Sequence, residues 1–127
     1  MCIRDRADGG TRTASITGGI ALSFACELLL QKGAASSILL RDQVAAVSCG
    51  ITEAGPVLDL DYAEDSNAHT DANFVLTATG GIVEIQGTAE HKPFTPEQFS
   101  HMLSLAQNGC AALFSLQLST SRQLRPA

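Results

Sequence analysis

Apolar residues recur every three or four positions in two parts of the chain, and this spacing predicts two amphipathic helices. The first helix runs from Thr11 to about Lys32, and Gly33 is a suitable C-terminal stop. The density of its apolar stripe indicates a largely buried helix. The stripe consists of Ile16, Ile20, Phe24 and Leu28, extended by Ala21, Ala25 and Leu29. The second helix opens at Thr95–Gln98 with an N-cap, a proline in the first turn and a capping-box glutamine, and it ends before Ser119.

Between the two helices, short apolar and alternating runs predict about four β-strands. Val44–Ile51 is apolar enough to be covered over most of its surface. Phe74–Ala78 and Ile82–Gln86 are joined by Thr79-Gly80-Gly81, which has the composition of a hairpin turn. The remaining strand follows the turn at Gly55-Pro56. The chain is therefore predicted to be an α+β fold with a mainly antiparallel sheet and helices packed on one face.

The strand after Gly55-Pro56 belongs to an acidic stretch, Val57–Asn73. Five of the chain's thirteen carboxylates lie there: Asp59, Asp61, Glu64, Asp65 and Asp71. Leu58, Leu60 and Tyr62 alternate with Asp59 and Asp61, which predicts a strand buried on one face. A strand that delivers carboxylates into a turn suggests a place where a cation or a proton is handled.

Asp65 and Asp71 can share such a site only if the chain folds back between them. In an extended conformation their Cα atoms would lie roughly 20 Å apart, too far for one metal ion. The composition of Ser66–Thr70 allows a turn. The alternative is a solvated acidic strand edge, which protects a sheet from aggregation. Spacing alone leaves both interpretations open.

A second candidate site lies at the start of the first helix, in the run Ala7–Thr13. The Gly9-Gly10 pair lets the backbone approach a ligand closely, and the helix N-terminus attracts negative charge. The Arg12 guanidinium offers a fork that suits phosphate. The alternative is an ordinary turn with an N-cap by Thr11 or Thr13. Because Arg12 follows the glycines directly, the anion site is favoured.

Composition narrows the class of protein. The 127 residues are enough for one domain with a core, and the longest apolar run, Gly18–Leu30, is too short to span a bilayer. Cys2, Cys26, Cys49 and Cys110 form no C-x-x-C pair, which favours reduced thiols in a cytoplasmic protein. The net charge is −5, and nine carboxylates but no basic residue lie between Arg41 and Lys92. That balance argues against an electrostatic surface for nucleic acid.

Several motifs nevertheless resemble those of one family, ribonuclease PH. They are Ala-Asp-Gly-Gly-Thr-Arg-Thr-Ala-Ser-Ile-Thr-Gly (7–18), Val-Ala-Ala-Val-Ser (44–48), Leu-Asp-Leu-Asp-Tyr-Ala-Glu-Asp-Ser (58–66), Thr-Asp-Ala-Asn (70–73) and Glu-Ile-Gln-Gly-Thr-Ala-Glu (84–90). The resemblance extends from Ala7 to about Gln117 and covers only the C-terminal half of the family's fold. That fold is a duplicated βα unit resembling ribosomal protein S5 domain 2.

The resemblance implies a phosphate-dependent 3′-to-5′ exoribonuclease that trims tRNA precursors and releases nucleoside diphosphates. It implies that Gly10, Thr11 and Arg12 bind inorganic phosphate, the co-substrate. It also implies that Asp65 and Asp71 are catalytic and bind Mg²⁺ or Mn²⁺. The expected partners are RNA and, for a full-length parent, further copies in a hexameric ring.

The resemblance further divides the chain into a leader at 1–6, a family domain at 7–118 and a flexible tail at 119–127. Because the family's N-terminal half has no counterpart here, the isolated chain is expected to be inactive or weakly active. Two departures from the family pattern are His69, expected to be an exposed turn residue, and His91-Lys92.

Two other hypotheses stay open on the sequence. One is a non-catalytic RNA-binding or scaffold subunit of an exosome-like ring, which would have no use for the set Arg12, Asp65 and Asp71. The other is an acidic metal-binding domain that would bind Mg²⁺ without requiring phosphate.

Overall fold

The computed structural model describes residues 10–34 and 41–124, without the side chains of Asp65, Gln123 and Leu124. The elements in chain order are α1 (Thr11–Gly18), α2 (Ile20–Gln31), β1 (Val44–Thr52), β2 (Gly55–Leu58), α3 (Tyr62–Asp65), β3 (Thr70–Thr77), β4 (Ile82–Ala89) and α4 (Pro96–Leu124). The predicted leader at 1–6 lies outside the described residues.

The four strands form one antiparallel sheet in the order β2-β1-β3-β4. β1 pairs with β3 from Val44↔Thr77 to Ile51↔Thr70, whereas β2 pairs only with the last part of β1. The predicted hairpin between β3 and β4 is present, and the Thr77 N–H donates to the Gly81 carbonyl at 2.9 Å. β3 begins earlier than predicted, at Thr70. The predicted α+β class with an antiparallel sheet is confirmed.

One face of the sheet packs against α4 and forms the core. Phe74 of β3, Cys49 of β1 and Met102 of α4 are among the largest fully buried side chains. Ala106 and Cys110 continue the buried stripe of α4 that the helical spacing predicts. The apolar stripe of the second helix is therefore confirmed.

The start of α4 matches its predicted capping box. The Gln98 N–H donates to Thr95 Oγ1 at 3.2 Å, and the Thr95 N–H donates to Gln98 Oε1 at 2.8 Å. The predicted end before Ser119 is wrong, because the helix continues to Leu124. No Gly or Pro occurs between Ser119 and Leu124, so nothing in the composition breaks the helix there. The described part of the predicted tail is thus helical.

The cysteines of the described residues are free thiols, as predicted. Burial raises the pKa of Cys49 to about 12 and that of Cys110 to about 11. Both side chains act as small apolar groups in the core. Cys26 on α2 is half-buried, and Cys2 lies outside the described residues.

Side chains from two helices satisfy the part of β1 that β2 leaves unpaired. Thr17 of α1 uses its hydroxyl both to donate to the Ala46 carbonyl at 3.2 Å and to accept from the Ala46 N–H at 3.0 Å. Gln117 of α4, which is buried, donates to the carbonyls of Val44 and Thr17 at 3.0 and 3.1 Å. These bonds fix α1 beside the edge of β1, because unmet backbone groups there would be costly.

The first helical region differs from its prediction in two ways. It consists of two helices that meet at Gly19, and α2 contains no buried residue. Leu22 is 63% exposed, and Leu28 and Leu29 are also exposed. The expectation of a largely buried helix is wrong for α2, because no other element within 10–34 and 41–124 covers its apolar stripe.

By length and composition, Thr11–Gln31 is also long and apolar enough to cross a membrane, unlike the shorter run Gly18–Leu30 considered alone. The break at Gly19 and the bonds from Thr17 to β1 instead place its first half in the folded domain.

The acidic stretch is not a continuous strand. β2 ends at Leu58, and the alternation beyond it leads into the short helix α3. Asp61 is the N-cap of α3: its side chain accepts from the Glu64 N–H at 2.8 Å, and Glu64 Oε2 accepts from the Asp61 N–H at 3.1 Å. This capping box outweighs the alternating pattern. Leu60 is buried as predicted, but Tyr62 is 69% exposed.

Candidate functional site

The face of the sheet opposite α4 carries the polar side chains of the candidate site. Successive strand residues point to opposite faces, so Ser48 and Asn73 lie on the other side from Cys49 and Phe74. The register aligns Ser48 of β1, Asn73 of β3 and Gln86 of β4 in one row across the sheet. Asp71 lies in the adjacent row, between Gly50 and Thr88.

The start of α1 faces this polar surface. Gly10 is the N-cap and has a left-handed backbone with φ 59°, which favours glycine. A Cβ there would also lie 3.2 Å from Thr13 Oγ1. The Thr13 hydroxyl instead donates to the Gly10 carbonyl at 2.8 Å. The alternative of an N-cap by Thr11 or Thr13 is therefore wrong.

Because Gly10 has no side chain to accept hydrogen bonds, nothing at the N-cap satisfies the first N–H groups of α1. These groups have no acceptor within a helix of this kind, and they attract anions. The sequence-based expectation of an anion site at this helix start is consistent with this geometry.

A cavity of about 150 Å³ joins the helix start to the polar face of the sheet. Its lining residues are Gly10, Thr11, Arg12, Ser48, Leu60, Asp71 and Asn73. The three residues predicted to bind phosphate and one of the two predicted catalytic aspartates thus line the same small space. We refer to it as the anion cavity.

Arg12 crosses the polar face to reach β4. Its guanidinium forms an ion pair with Glu84 and donates a further hydrogen bond to Gln86. Glu84 lies opposite Val75 in the β3–β4 register, on the same face as Gln86. Sequence reasoning missed both partners. The alternation of Glu84 and Gln86 with Val83 and Ile85 was the available signal, because it places the two polar side chains on one face.

Asp71 also borders a second cavity of about 380 Å³, lined by Ser66, Ala68, Asp71, Glu90 and His91. Asp65 ends α3, and its side chain lies outside the described residues. The chain does turn between the two aspartates: the Ser66 N–H donates to the Tyr62 carbonyl at 3.1 Å, and the His69 N–H donates to the Ile51 carbonyl at 2.7 Å. Ser66, which follows Asp65 directly, therefore shares a cavity with Asp71.

Asp59 lies beside the site through its backbone. Its φ is 59°, an uncommon value for a residue with a side chain. Its N–H donates to the Ser48 carbonyl at 2.8 Å, so the bend after β2 is bonded directly to β1 next to the anion cavity. This geometry agrees with the interpretation of Asp59 and Asp61 as structural residues.

His69 is not the exposed turn residue that the sequence suggests. Its Nε2 lies 2.8 Å from Glu53 Oε1, and its ring contacts that of His91 edge-on, with centroids 5.8 Å apart. The hydrogen bond and the nearby charge of His69 lower the pKa of Glu53. His91 in turn borders the second cavity, which gives this departure from the family pattern a place in the structure.

Comparison with known proteins agrees with the folded arrangement. Residues 42–109 match the family described as the 3′ exoribonuclease family, domain 2. Ribonuclease PH from Mesorhizobium japonicum is 55% identical over 114 residues, and that from Methylobacterium nodulans is 57% identical over 113 residues. Each alignment covers 88% of this chain and 48% of the relative. The chain thus spans about half the length of these curated relatives.

Solved structures share the fold at low sequence identity. Rice Rrp46 superposes with a TM-score of 0.66 at 19% identity, over 91% of this chain and 49% of that one. A chain of the Archaeoglobus fulgidus exosome, solved with RNA bound to the active site, gives 0.53 at 18% identity, over 68% of this chain and 35% of that one. With the family match and the two curated relatives, these findings show that the chain belongs to the ribonuclease PH family of 3′ exoribonucleases and corresponds to its C-terminal half.

Proposed function

We propose that this chain supplies the C-terminal half of a phosphate-dependent 3′-to-5′ exoribonuclease that trims tRNA 3′ ends. The observation that carries the proposal is the anion cavity. It combines the start of α1, with Arg12, and the Asp71 side chain in a single small space. Such a pairing of anion donors with a carboxylate suits a reaction in which phosphate attacks a phosphodiester.

In the proposed reaction, an oxygen of inorganic phosphate attacks the phosphorus of the last internucleotide linkage. A new P–O bond forms, the bond from phosphorus to the 3′ oxygen of the preceding nucleotide breaks, and a nucleoside diphosphate leaves. That 3′ oxygen takes up a proton. Gly10, Thr11 and Arg12 hold the attacking phosphate, because helix N–H groups and a guanidinium position an anion without moving. Asp65 and Asp71 act at the scissile phosphate.

Arg12 must change partners during this reaction. In the structure its guanidinium is engaged by Glu84 and Gln86. Both carboxylate and guanidinium are about half exposed, at 45% and 43%, so the pair is easily exchanged in water. Incoming phosphate therefore competes with Glu84 for the guanidinium.

The proposal includes Mg²⁺ or Mn²⁺ as a cofactor. Among the described residues, no group of three or more His, Cys, Asp or Glu side chains could hold a metal ion. This fits Mg²⁺, which is usually held by one or two carboxylates together with water and substrate phosphates. Asp71 is one such carboxylate, and the predicted Asp65 is the other. A bound metal ion would supply charge stabilisation at the scissile phosphate.

RNA and further copies of the parent protein are the proposed partners. The described residues carry a polar, acidic site face and an apolar α2 surface that includes Leu22, Leu28 and Leu29. Exposed apolar surface of this kind marks a contact with other protein. We assign it to the missing half of the parent, or to neighbouring copies in a hexameric ring.

The test uses a fusion protein in which the N-terminal half of ribonuclease PH from Mesorhizobium japonicum precedes this chain. The fusion protein is expected to release nucleoside diphosphates from a tRNA-like 3′ tail only with both phosphate and Mg²⁺, whereas the chain alone is inactive or weak. Asp71→Asn should abolish this release, with a loss of about a hundredfold or more.

Asp42→Asn is the matched control for this test. Asp42 is an exposed carboxylate whose pKa is lowered by hydrogen bonds from Thr79, and it lies outside both cavities at the site. It should leave nucleoside diphosphate release unchanged. Full activity of Asp71→Asn would remove the site assignment. RNA binding by the unaltered fusion protein, without phosphorolysis, would favour the scaffold hypothesis.

A further inference from the structure

Ser48 places a buried hydroxyl without a partner at the anion cavity. The residue is only 5% exposed, and its Oγ has no hydrogen-bond partner among the described residues. Its backbone is satisfied, because the Ser48 carbonyl accepts from the Asp59 N–H at 2.8 Å. Only the side chain is left without a bond, and it lines the cavity with Thr11 and Arg12.

An unpaired buried hydroxyl is costly and therefore indicates an absent partner. His69 Nδ1 and Thr70 Oγ1 are also buried without a partner, but neither residue lines the anion cavity. A Cβ built on Gly10 would lie 3.9 Å from Ser48 Oγ, so the hydroxyl is close to the N-cap of α1. The cavity volume of about 150 Å³ also exceeds the roughly 30 Å³ that one water occupies in the liquid.

We propose that Ser48 is a further phosphate-binding residue, whose hydroxyl donates a hydrogen bond to the inorganic phosphate held at the start of α1. This inference rests on the proposed function and adds a ligand to its phosphate site. The N–H groups of α1 and Arg12 approach the anion from the helix, and Ser48 approaches it from the sheet. Contacts from two rigid elements fix the orientation of the attacking phosphate as well as its position.

The position of Ser48 suits this role. β1 pairs with β3 along its length, and Ser48 lies directly opposite Asn73, so its backbone has little freedom to move. A serine hydroxyl both donates and accepts, which matches a phosphate that still carries one proton. Asp71, on the same cavity, has no proton to donate at neutral pH, so Ser48 complements it.

The experiment measures the KM for phosphate and the KM for RNA of the fusion protein and four variants: Ser48→Ala, Ser48→Thr, Arg12→Ala and Ser115→Ala. Ser48→Ala should raise the KM for phosphate about tenfold or more, because a hydrogen bond to a charged group is lost, and should leave the KM for RNA unchanged. Ser48→Thr restores the hydroxyl and should recover most of the loss. Ser115, exposed on α4 with its hydroxyl donating to the Ala111 carbonyl, is the control and should have no effect.

The outcomes separate this inference from the proposed function. If Ser48→Ala stays within about twofold of the unaltered protein while Arg12→Ala raises the KM for phosphate, Ser48 is not a ligand and the proposed function stands. If the fusion protein shows no dependence on phosphate, both proposals fail. A KM change for RNA equal to that for phosphate would indicate general damage to the site and would also overturn the inference.

A direct measurement covers the case in which Ser48→Ala does not fold. The unaltered fusion protein, labelled with ¹⁵N, is titrated with inorganic phosphate, and amide shifts are recorded. The Ser48 and Thr11 amides should shift together with one saturation curve. Saturation at Thr11 without any shift at Ser48 would contradict a contact between Ser48 and the anion.

Discussion

The two faces of the sheet are built from the same strands and have opposite roles. The face toward α4 buries Cys49, Phe74 and Met102 completely or nearly so. The other face carries Ser48 and Asp71, with the anion cavity above them. Because neighbouring residues on a strand point to opposite sides, adjacent positions in β1 and β3 belong to different roles. Stability should depend on one face and chemistry on the other.

The largest expected effect tests this division at adjacent residues. Phe74→Ala removes a fully buried aromatic ring that packs beside Phe99, with ring centroids 6.2 Å apart. It should lower the free energy of unfolding of the chain by about 3–5 kcal/mol, measured by urea denaturation. Asn73→Ala, one position earlier on the polar face, is the control and should change it by less than about 1 kcal/mol. Equal losses for the two variants would break the comparison.

The α4 face could be predicted from the sequence because its signals are local. The helical spacing of Met102, Ala106 and Cys110, the Thr95–Gln98 capping box and the apolar run of β1 each depend on neighbouring residues only. The hairpin around Gly80 is local in the same way. Where such signals agree with one another, a sequence specifies its structure most clearly.

The predictions that failed depend on partners distant in sequence. Leu22 and Leu28 have the pattern of a buried helix, but periodicity shows only that a face is apolar, and a second surface must exist to cover it. At Asp61, two local signals conflict: the alternating pattern favours a strand, and the capping box with Glu64 favours a helix. The capping box prevails because it satisfies two backbone N–H groups.

The candidate site was predictable in its residues but not in its arrangement. Family motifs identify Gly10, Thr11, Arg12 and Asp71, and the structure brings all four to one cavity. The pairing of Arg12 with Glu84 could not be read from the sequence, because the two residues are joined only by the β3–β4 register and the position of α1. The unpaired hydroxyl of Ser48 likewise follows from packing alone.

A smaller effect is expected on the polar face, where Glu84→Gln should strengthen phosphate binding. The substitution removes the carboxylate that competes for Arg12. An exposed ion pair contributes about 0–1 kcal/mol, so the KM for phosphate of the fusion protein should fall by up to about fivefold. The difference should shrink at high salt because the charges are exposed.

Glu97→Gln is the matched control for this prediction, since it removes one exposed carboxylate at the start of α4 and changes the net charge equally. A similar fall in KM for both variants would show that net charge, and not the Arg12–Glu84 pair, sets phosphate affinity. A rise in KM for Glu84→Gln would show that Glu84 holds Arg12 in its binding position.

The mildest test leaves the sequence unchanged and compares thiols on α4's side of the sheet with one on α2. Alkylation by iodoacetamide at pH 8, followed by peptide mapping, should label Cys26 and spare Cys49 and Cys110. Only the thiolate reacts, and with a pKa of about 12 only roughly one Cys49 thiol in ten thousand is ionised at pH 8. Because folding raises the pKa of this thiol, its contribution to stability is complete below pH 9 and is lost as pH rises toward 12. The spared thiols should therefore become reactive as the pH is raised over that range. Equal labelling of all three at pH 8 would mean that α4 does not stay packed on the sheet, and the division between the two faces would then fail.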